Sequence, residues 1–230
     1  MSLLKLDIHS PTKMQRLHRD ESLLKPLLMG FSSSLLALAF IHLGSEIVEG
    51  DTLSVDQHVL QAVQQLRVTY PWIASLMRDL SGLGSTFVLT LLTITTVGYL
   101  ALVSERMTAL LVAASVATGS LLNSALKLAF GRLRPDPAFS DILVSGLSFP
   151  SGHASMSAIV FLTVGVLVAS KRERLSERAY ILAVSTALTL LVGVSRIVLG
   201  VHWTTDVLGG WAFGTAWAMG WLILARRAPA

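Results

Sequence analysis

Three short stretches bring together side chains able to handle a phosphate. The first runs from Lys127 to Pro135 and contains Arg134. The second is Pro150-Ser151-Gly152-His153, and the third runs from Ser195-Arg196 to His202 and Asp206. Lys127, Arg134 and Arg196 are three cations, and a guanidinium offers a fork of donors matched to phosphate oxygens. Ser151 is suited to cap a helix starting near His153, so the first-turn N–H groups and that of Gly152 would point at the same anion. His202 and Asp206 are four residues apart and share a face if helical. The carboxylate can then hold one imidazole nitrogen while the other stays free to attack. His153, from another helix, can protonate a departing alkoxide, since imidazole gives and takes protons near neutral pH. The three cations would stabilise the transferring phosphoryl group. His, Asp and Glu do not otherwise cluster, and the chain has no cysteine, so neither a metal nor another cofactor is expected.

Taken singly, each residue has a plainer role. An isolated Lys or Arg at a membrane boundary is an interfacial anchor, which is the reading Arg67, Arg78 and Arg132 keep. Ser151 alone is a cap, Pro150 a helix-start residue, and His202 with Asp206 a structural pair. The combination of Lys, two Arg, two His and an Asp converging from four helix ends is what points to a site.

The elements that must position these groups are membrane helices. The 230 residues are 53% hydrophobic and 14% charged, with a mean hydropathy of +0.66. A soluble domain carries about 25% charged residues. Uncharged stretches run over Leu80–Val103, Met107–Leu126 and Val207–Ala225. Further spans are expected over Pro26–Ser45, Ala154–Ser170 and Ala179–Ser195. The expected fold is all-α: a polytopic bundle of six transmembrane helices without strands, in which Gly210-x-x-x-Gly214 permits close packing. Residues 1–25 read as a cytoplasmic leader and 26–230 as one domain. With the N-terminus inside, 12 of the 18 Lys and Arg fall on the cytoplasmic side, four of them in the Lys171–Arg178 loop. Topology, not nucleic acid, therefore accounts for the isoelectric point of 9.8. The basic leader followed by Ala37-Leu38-Ala39 imitates a cleaved signal peptide, but the apolar stretch continues through Phe40 and Ile41, so the first span is expected to be retained. Between the first two spans, residues 51–70 carry apolar side chains at helical spacing. They form an amphipathic helix, either lying in the outer interface or packed on the bundle.

The three stretches resemble, in order and spacing, the tripartite signature of the type 2 phosphatidic acid phosphatase superfamily. Lys-x6-Arg-Pro is Lys127–Pro135, Pro-Ser-Gly-His is Pro150–His153, and Ser-Arg-x5-His-x3-Asp is Ser195–Asp206. No signature position departs from the pattern, and the six-span layout is similar to the membrane branch. The resemblance implies that His202 attacks phosphorus to give a phosphohistidine, that Asp206 orients it, and that His153 protonates the leaving group and then activates water. It also implies that Lys127, Arg134, Ser151, Gly152 and Arg196 bind the phosphate, and that activity is independent of Mg²⁺.

The expected protein is thus a lipid phosphatase of the bacterial inner membrane, with both termini cytoplasmic and its site at the outer face. It would act on the terminal phosphate of a lipid such as undecaprenyl diphosphate, phosphatidylglycerophosphate, phosphatidic acid or a diacylglycerol diphosphate. Lipid tails would enter laterally, and the Pro135–Phe149 loop borders the site. Two alternatives use the same residues: a lipid phosphotransferase working through the same phosphohistidine, and a lipid-phosphate or anion transporter that binds without reacting. The second would favour internal repeats and midplane polar residues, which this chain does not show.

Overall fold

The computed structural model describes residues 13–227, so residues 1–12 of the expected leader lie outside the described residues. Among the described residues eight α-helices follow in order: α1 (Lys13–Glu49), α2 (Leu53–Thr69), α3 (Trp72–Leu83), α4 (Thr86–Leu102), α5 (Arg106–Phe130), α6 (Gly152–Ser170), α7 (Leu175–Val198) and α8 (Thr204–Arg227). A single 3-10 turn spans Pro137–Phe139. Among the described residues there is no strand, and six helical segments are long and apolar enough to cross a membrane. Large apolar side chains on the outside of the bundle, such as Phe31, Leu38, Phe87 and Ile94, are exposed, as lipid-facing surfaces require.

Uncharged runs understate the helices. Three of the spans that carry the site continue past their boundary charges, so that Lys127 sits in the last turn of α5, Arg196 in the last turn of α7 and Asp206 in the first turn of α8. The second span departs furthest from expectation. It begins at Trp72 and is broken at Gly84-Ser85, where Ser85 takes an extended conformation and its Oγ accepts the Val88 N–H at 3.3 Å to start α4. The break brings the C-terminal end of α3 beside the site.

Helix α6 is central, packed on α7 and α8, with α1 covering α8. The expected glycine contact is present. A Cβ on Gly214 would lie 2.4 Å from the Ser155 carbonyl oxygen and 2.8 Å from the Ala158 Cβ, and one on Gly210 would lie 2.9 Å from the Ser151 oxygen. Gly214→Val should therefore force α6 and α8 apart at a cost of about 1–3 kcal/mol. A thermal melt in detergent reads this directly, and an unchanged midpoint would contradict the contact. At the site end of this interface Phe149 is fully buried. It stacks on Phe40 at 5.4 Å and meets Phe130 edge-on at 4.7 Å, which seats the Pro150–His153 turn against the core.

Helix α2 packs on the bundle, against α3, α7 and α8. Its inward face carries Asp56, Leu60, Val63 and Arg67, at helical spacing of four, seven and eleven residues.

Candidate active site

The C-terminal ends of α5 and α7 and the N-terminal ends of α6 and α8 meet at one end of the bundle. Ser151 caps α6: its Oγ faces the Ala154 N–H at 3.5 Å, and its own N–H donates to the Asp206 carbonyl at 3.0 Å, tying α6 to α8. Lys127 Nζ donates to the carbonyls of Leu147 and Ser148 at 2.9 and 3.0 Å. A Cβ on Gly152 would meet nothing closer than Asn123 Nδ2 at 3.5 Å and Lys127 Cε at 4.0 Å, so the glycine leaves a cradle open beside the lysine. Arg196 is 3% exposed. Its Nη1 donates to Ser81 Oγ at 2.6 Å, while its buried Nε makes no hydrogen bond within the protein. His153 lies in the first turn of α6, within electrostatic reach of Arg196, His202, Arg134 and Lys127. Its ring packs at Gly84, where an added Cβ would lie 3.3 Å from His153 Cδ2 and 2.3 Å from Val192 Cγ1.

His202 stands in the turn between α7 and α8, just ahead of α8, so its pairing with Asp206 closes across the helix start and not along a helix face. Gly200 makes the turn possible. Its φ is +73°, and a Cβ there would lie 2.1 Å from the Phe139 oxygen. The side chain of His202 is 2% exposed. Nδ1 lies 3.2 Å from Asp206 Oδ2, and Nε2 lies 3.0 Å from Arg134 Nη1. A guanidinium can only donate, so Nε2 is the acceptor and Nδ1 carries the proton, the tautomer that leaves a lone pair on Nε2. Arg134 is held by the carbonyls of Gly146 and Val201 at 3.0 and 2.7 Å.

Asp206 is fully buried and fully engaged. Oδ1 accepts Arg132 Nη1 at 2.7 Å, and Oδ2 accepts the Trp203 N–H at 2.9 Å and the Ser148 hydroxyl in addition to His202. The Trp203 bond is the return half of a capping box, so the same carboxylate starts α8 and orients the imidazole.

Three arginines expected to be lone interfacial anchors are not. The side chain of Arg132 is 12% exposed and bridges Asp206 and Asp56, the latter at 2.7 Å, with Trp203 stacked 5.6 Å from its guanidinium carbon. Arg67 donates to the carbonyls of Leu199 and Phe139 at 2.8 and 2.5 Å, and Arg78 pairs with Asp141 at 2.5 Å. Two buried carboxylates draw Arg132 inward, because a buried charge is tolerated only when paired. Ser148, Asp56 and Arg132 were absent from the expected site. A signal existed for two of them. Asp56 interrupts the apolar face of α2, and Arg132 is two residues from Arg134 in a non-helical segment, where alternate residues share a side.

Burial drives His202 down to about 4, with Arg134 and Lys127 adding to the effect and the bond to Asp206 opposing it. Burial also lowers Arg134, against the pull of Asp206. A nucleophilic imidazole must be neutral, and a lowered pKa keeps it neutral further into acid. The acid limb of kcat/KM assigned to His202 is therefore expected nearer to 4 than to the ordinary histidine value of about 6.5, once the ionisation of the substrate is subtracted. A limb at the ordinary value would contradict this environment.

Outward of Arg134 lies a cleft of about 490 Å³, lined by Leu133, Ile142, Leu143 and Val144 and floored by Gly200 and Val201. Among the described residues, Arg134 is the one ionisable group in its wall. Among the described residues no group of three or more His, Cys, Asp or Glu is placed to hold a metal.

The PAP2 superfamily model matches residues 108–229. Phosphatidylglycerophosphatase B of Bacillus subtilis (strain 168) is 33% identical over 182 residues, covering 78% of this chain and 87% of that protein. A decaprenylphosphoryl-5-phosphoribose phosphatase of Mycobacterium tuberculosis (strain H37Rv) is 31% identical over 159 residues, covering 68% and 82%. The crystal structure of a transmembrane PAP2-type phosphatidylglycerolphosphate phosphatase from Bacillus subtilis superposes with a TM-score of 0.78 at 29% identity, over 86% of this chain and 98% of that one.

Proposed function

This chain belongs to the PAP2 superfamily, and from that premise we propose that it is a membrane lipid phosphatase working through a phosphohistidine on His202. The observation that carries the reading is the state of His202. Its Nδ1–H is pinned on Asp206, and its Nε2 lone pair faces the guanidinium of Arg134 at 3.0 Å. A phosphate entering between Arg134 and Nε2 would have its phosphorus presented to the lone pair and its oxygens to Arg134, Lys127, the free Nε of Arg196 and the N–H groups at the start of α6. Nε2 attacks, the P–O bond to the lipid breaks, and His153 supplies the proton to the departing oxygen. In the second step His153 takes a proton from water, the hydroxide attacks phosphorus, and the P–N bond breaks to release phosphate and neutral His202.

The substrate class is a lipid bearing a terminal phosphate, such as phosphatidylglycerophosphate, phosphatidic acid or undecaprenyl diphosphate. The names and chain coverage of the relatives favour a phosphorylated lipid, and the apolar cleft walls suit the uncharged portion next to the phosphate. The site faces the exterior of the inner membrane in this reading, because the basic Lys171–Arg178 stretch, which joins α6 to α7 and enters the first turn of α7, lies at the opposite end of the bundle, and basic junctions stay cytoplasmic.

Purified protein in detergent, given a panel of lipid phosphates, should release inorganic phosphate. Rapid quench with a terminally ³²P-labelled lipid should trap label that is stable in base and labile in acid, as a phosphohistidine is. Because three side-chain cations take the stabilising role, EDTA should leave the rate within about twofold. Loss of turnover on chelation, or trapped label with acyl-phosphate stability, would overturn the mechanism.

A further inference from the structure

The Leu199–Thr205 turn carries His202, and helix α2 grips it at both ends. At one end Arg67 Nη1 donates to the Leu199 carbonyl at 2.8 Å, while its Nη2 reaches the Phe139 carbonyl that packs on Gly200. At the other end Asp56 Oδ1 accepts the Thr205 N–H at 3.0 Å, and Oδ2 accepts the Thr205 hydroxyl at 2.6 Å and Arg132 Nη2 at 2.7 Å. Thr205 Oγ1 in turn accepts Arg132 Nη1 at 2.7 Å, so its single proton is free to go to Asp56. Asp56 and Arg67 are eleven residues apart, which is about three turns and roughly 16 Å along one face of the helix. One face of one helix therefore carries both contacts, one to each end of the turn.

Neither residue lies in the signature stretches, and neither touches the proposed phosphate position. Asp56 is 1% exposed, a costly placement for a carboxylate unless its bonds do something an apolar residue could not. We propose that α2 is a positioning element of the catalytic turn: Asp56 and Arg67 clasp its two ends and so hold His202 against Asp206. Asp56 has a second effect through Arg132. It shares the positive charge of that guanidinium, leaving Asp206 with more of its negative charge to polarise the imidazole. The groups surrounding His202 are Lys127 from α5, Arg134 and Ser148 from the connecting segment, His153 from α6 and Asp206 from α8, with Arg196 from α7 on the far side of the site, beside His153. The α2 residues act one layer behind them.

The catalytic part of this inference rests on His202 being the nucleophile, while the clasp itself is measurable without turnover. Hydrogen–deuterium exchange on the intact protein in detergent, without substrate, should show amides of residues 199–206 opening about tenfold more readily in Asp56→Asn and in Arg67→Met than in the unchanged chain. With dioctanoyl phosphatidic acid, kcat should fall on the order of 100-fold in Asp56→Asn, the effect of a displacement near 1 Å, while KM stays within about threefold. Asp56→Glu should recover part of kcat, and Glu105→Gln, which breaks the Glu105–Lys171 pair at the far end of the bundle, should change neither measurement. Unchanged exchange across residues 199–206 in both variants would overturn the clasp. So would a loss of kcat matched by an equal rise in KM in a variant that remains folded. If Asp56→Asn does not fold, Arg67→Met and Asp56→Glu decide the matter by the same two readouts. Failure of the unchanged protein to release phosphate from any lipid phosphate would remove the phosphatase reading, and the exchange result would still stand or fall by itself.

Discussion

His202→Ala is expected to lower phosphate release from lipid substrates by at least about 10⁴-fold, the scale on which loss of a covalent nucleophile is felt. Neither of the oxygen groups beside it can substitute. Asp206 has both oxygens committed to Arg132, Trp203, Ser148 and the missing imidazole, and the Ser148 hydroxyl is already donated to Asp206. What survives is the cation cluster, which in the proposed mechanism still binds phosphate and stabilises slow attack by water. The variant should therefore lose the trapped label together with turnover while still being protected from heat by vanadate or phosphate. His202→Gln, which fills more of the buried volume, separates chemistry from packing: it should be as inactive but melt closer to the unchanged protein. Full turnover in either variant would sink the nucleophile assignment.

Arg132→Leu is expected to cost the folded protein about 3–5 kcal/mol, the penalty for stripping one partner from a buried ion cluster. The side chain bridges Asp56 and Asp206, each with no exposed side-chain surface, at 2.7 Å on either side. Without it two carboxylates are left buried with no counter-cation between them, and Thr205 loses a donor. Arg132→Lys keeps the charge but offers a point in place of a planar fork, so it cannot reach both carboxylates and the threonine with the same geometry. It should fall between the two in melting temperature and in kcat. Wild-type melting of Arg132→Leu would show that the bridge carries no stability, and the charge-sharing role given to Asp56 would then have no basis.

Much of this arrangement is legible in the sequence. Hydropathy identified six spans, because a lipid-facing helix must be apolar over about 20 residues. Spacing placed Lys127, Arg134, His153, Arg196, His202 and Asp206 at or beside helix ends on one side, because spans that alternate in direction return every second junction to the same face. Gly210 and Gly214 announced a close helix contact because four residues are one turn. The break at Gly84-Ser85 was not legible, since a serine starting a new helix inside an apolar run leaves the average hydropathy unchanged.

Local spacing therefore determined which groups gather at one end of the bundle and what chemistry they suit. Only the tertiary structure decided how they are held. His202 and Asp206 looked like neighbours on one helix face, and instead they meet across a helix start that Asp206 itself caps. Arg132 looked like an interfacial anchor like any other, and it became the bridge between two buried acids because α2, from 76 residues earlier in the chain, delivers Asp56 to its other side. A charge at a membrane boundary looks the same in sequence whether it faces headgroups or a buried carboxylate. The partner that distinguishes the two is supplied by a distant segment, and its arrival depends on how whole helices pack.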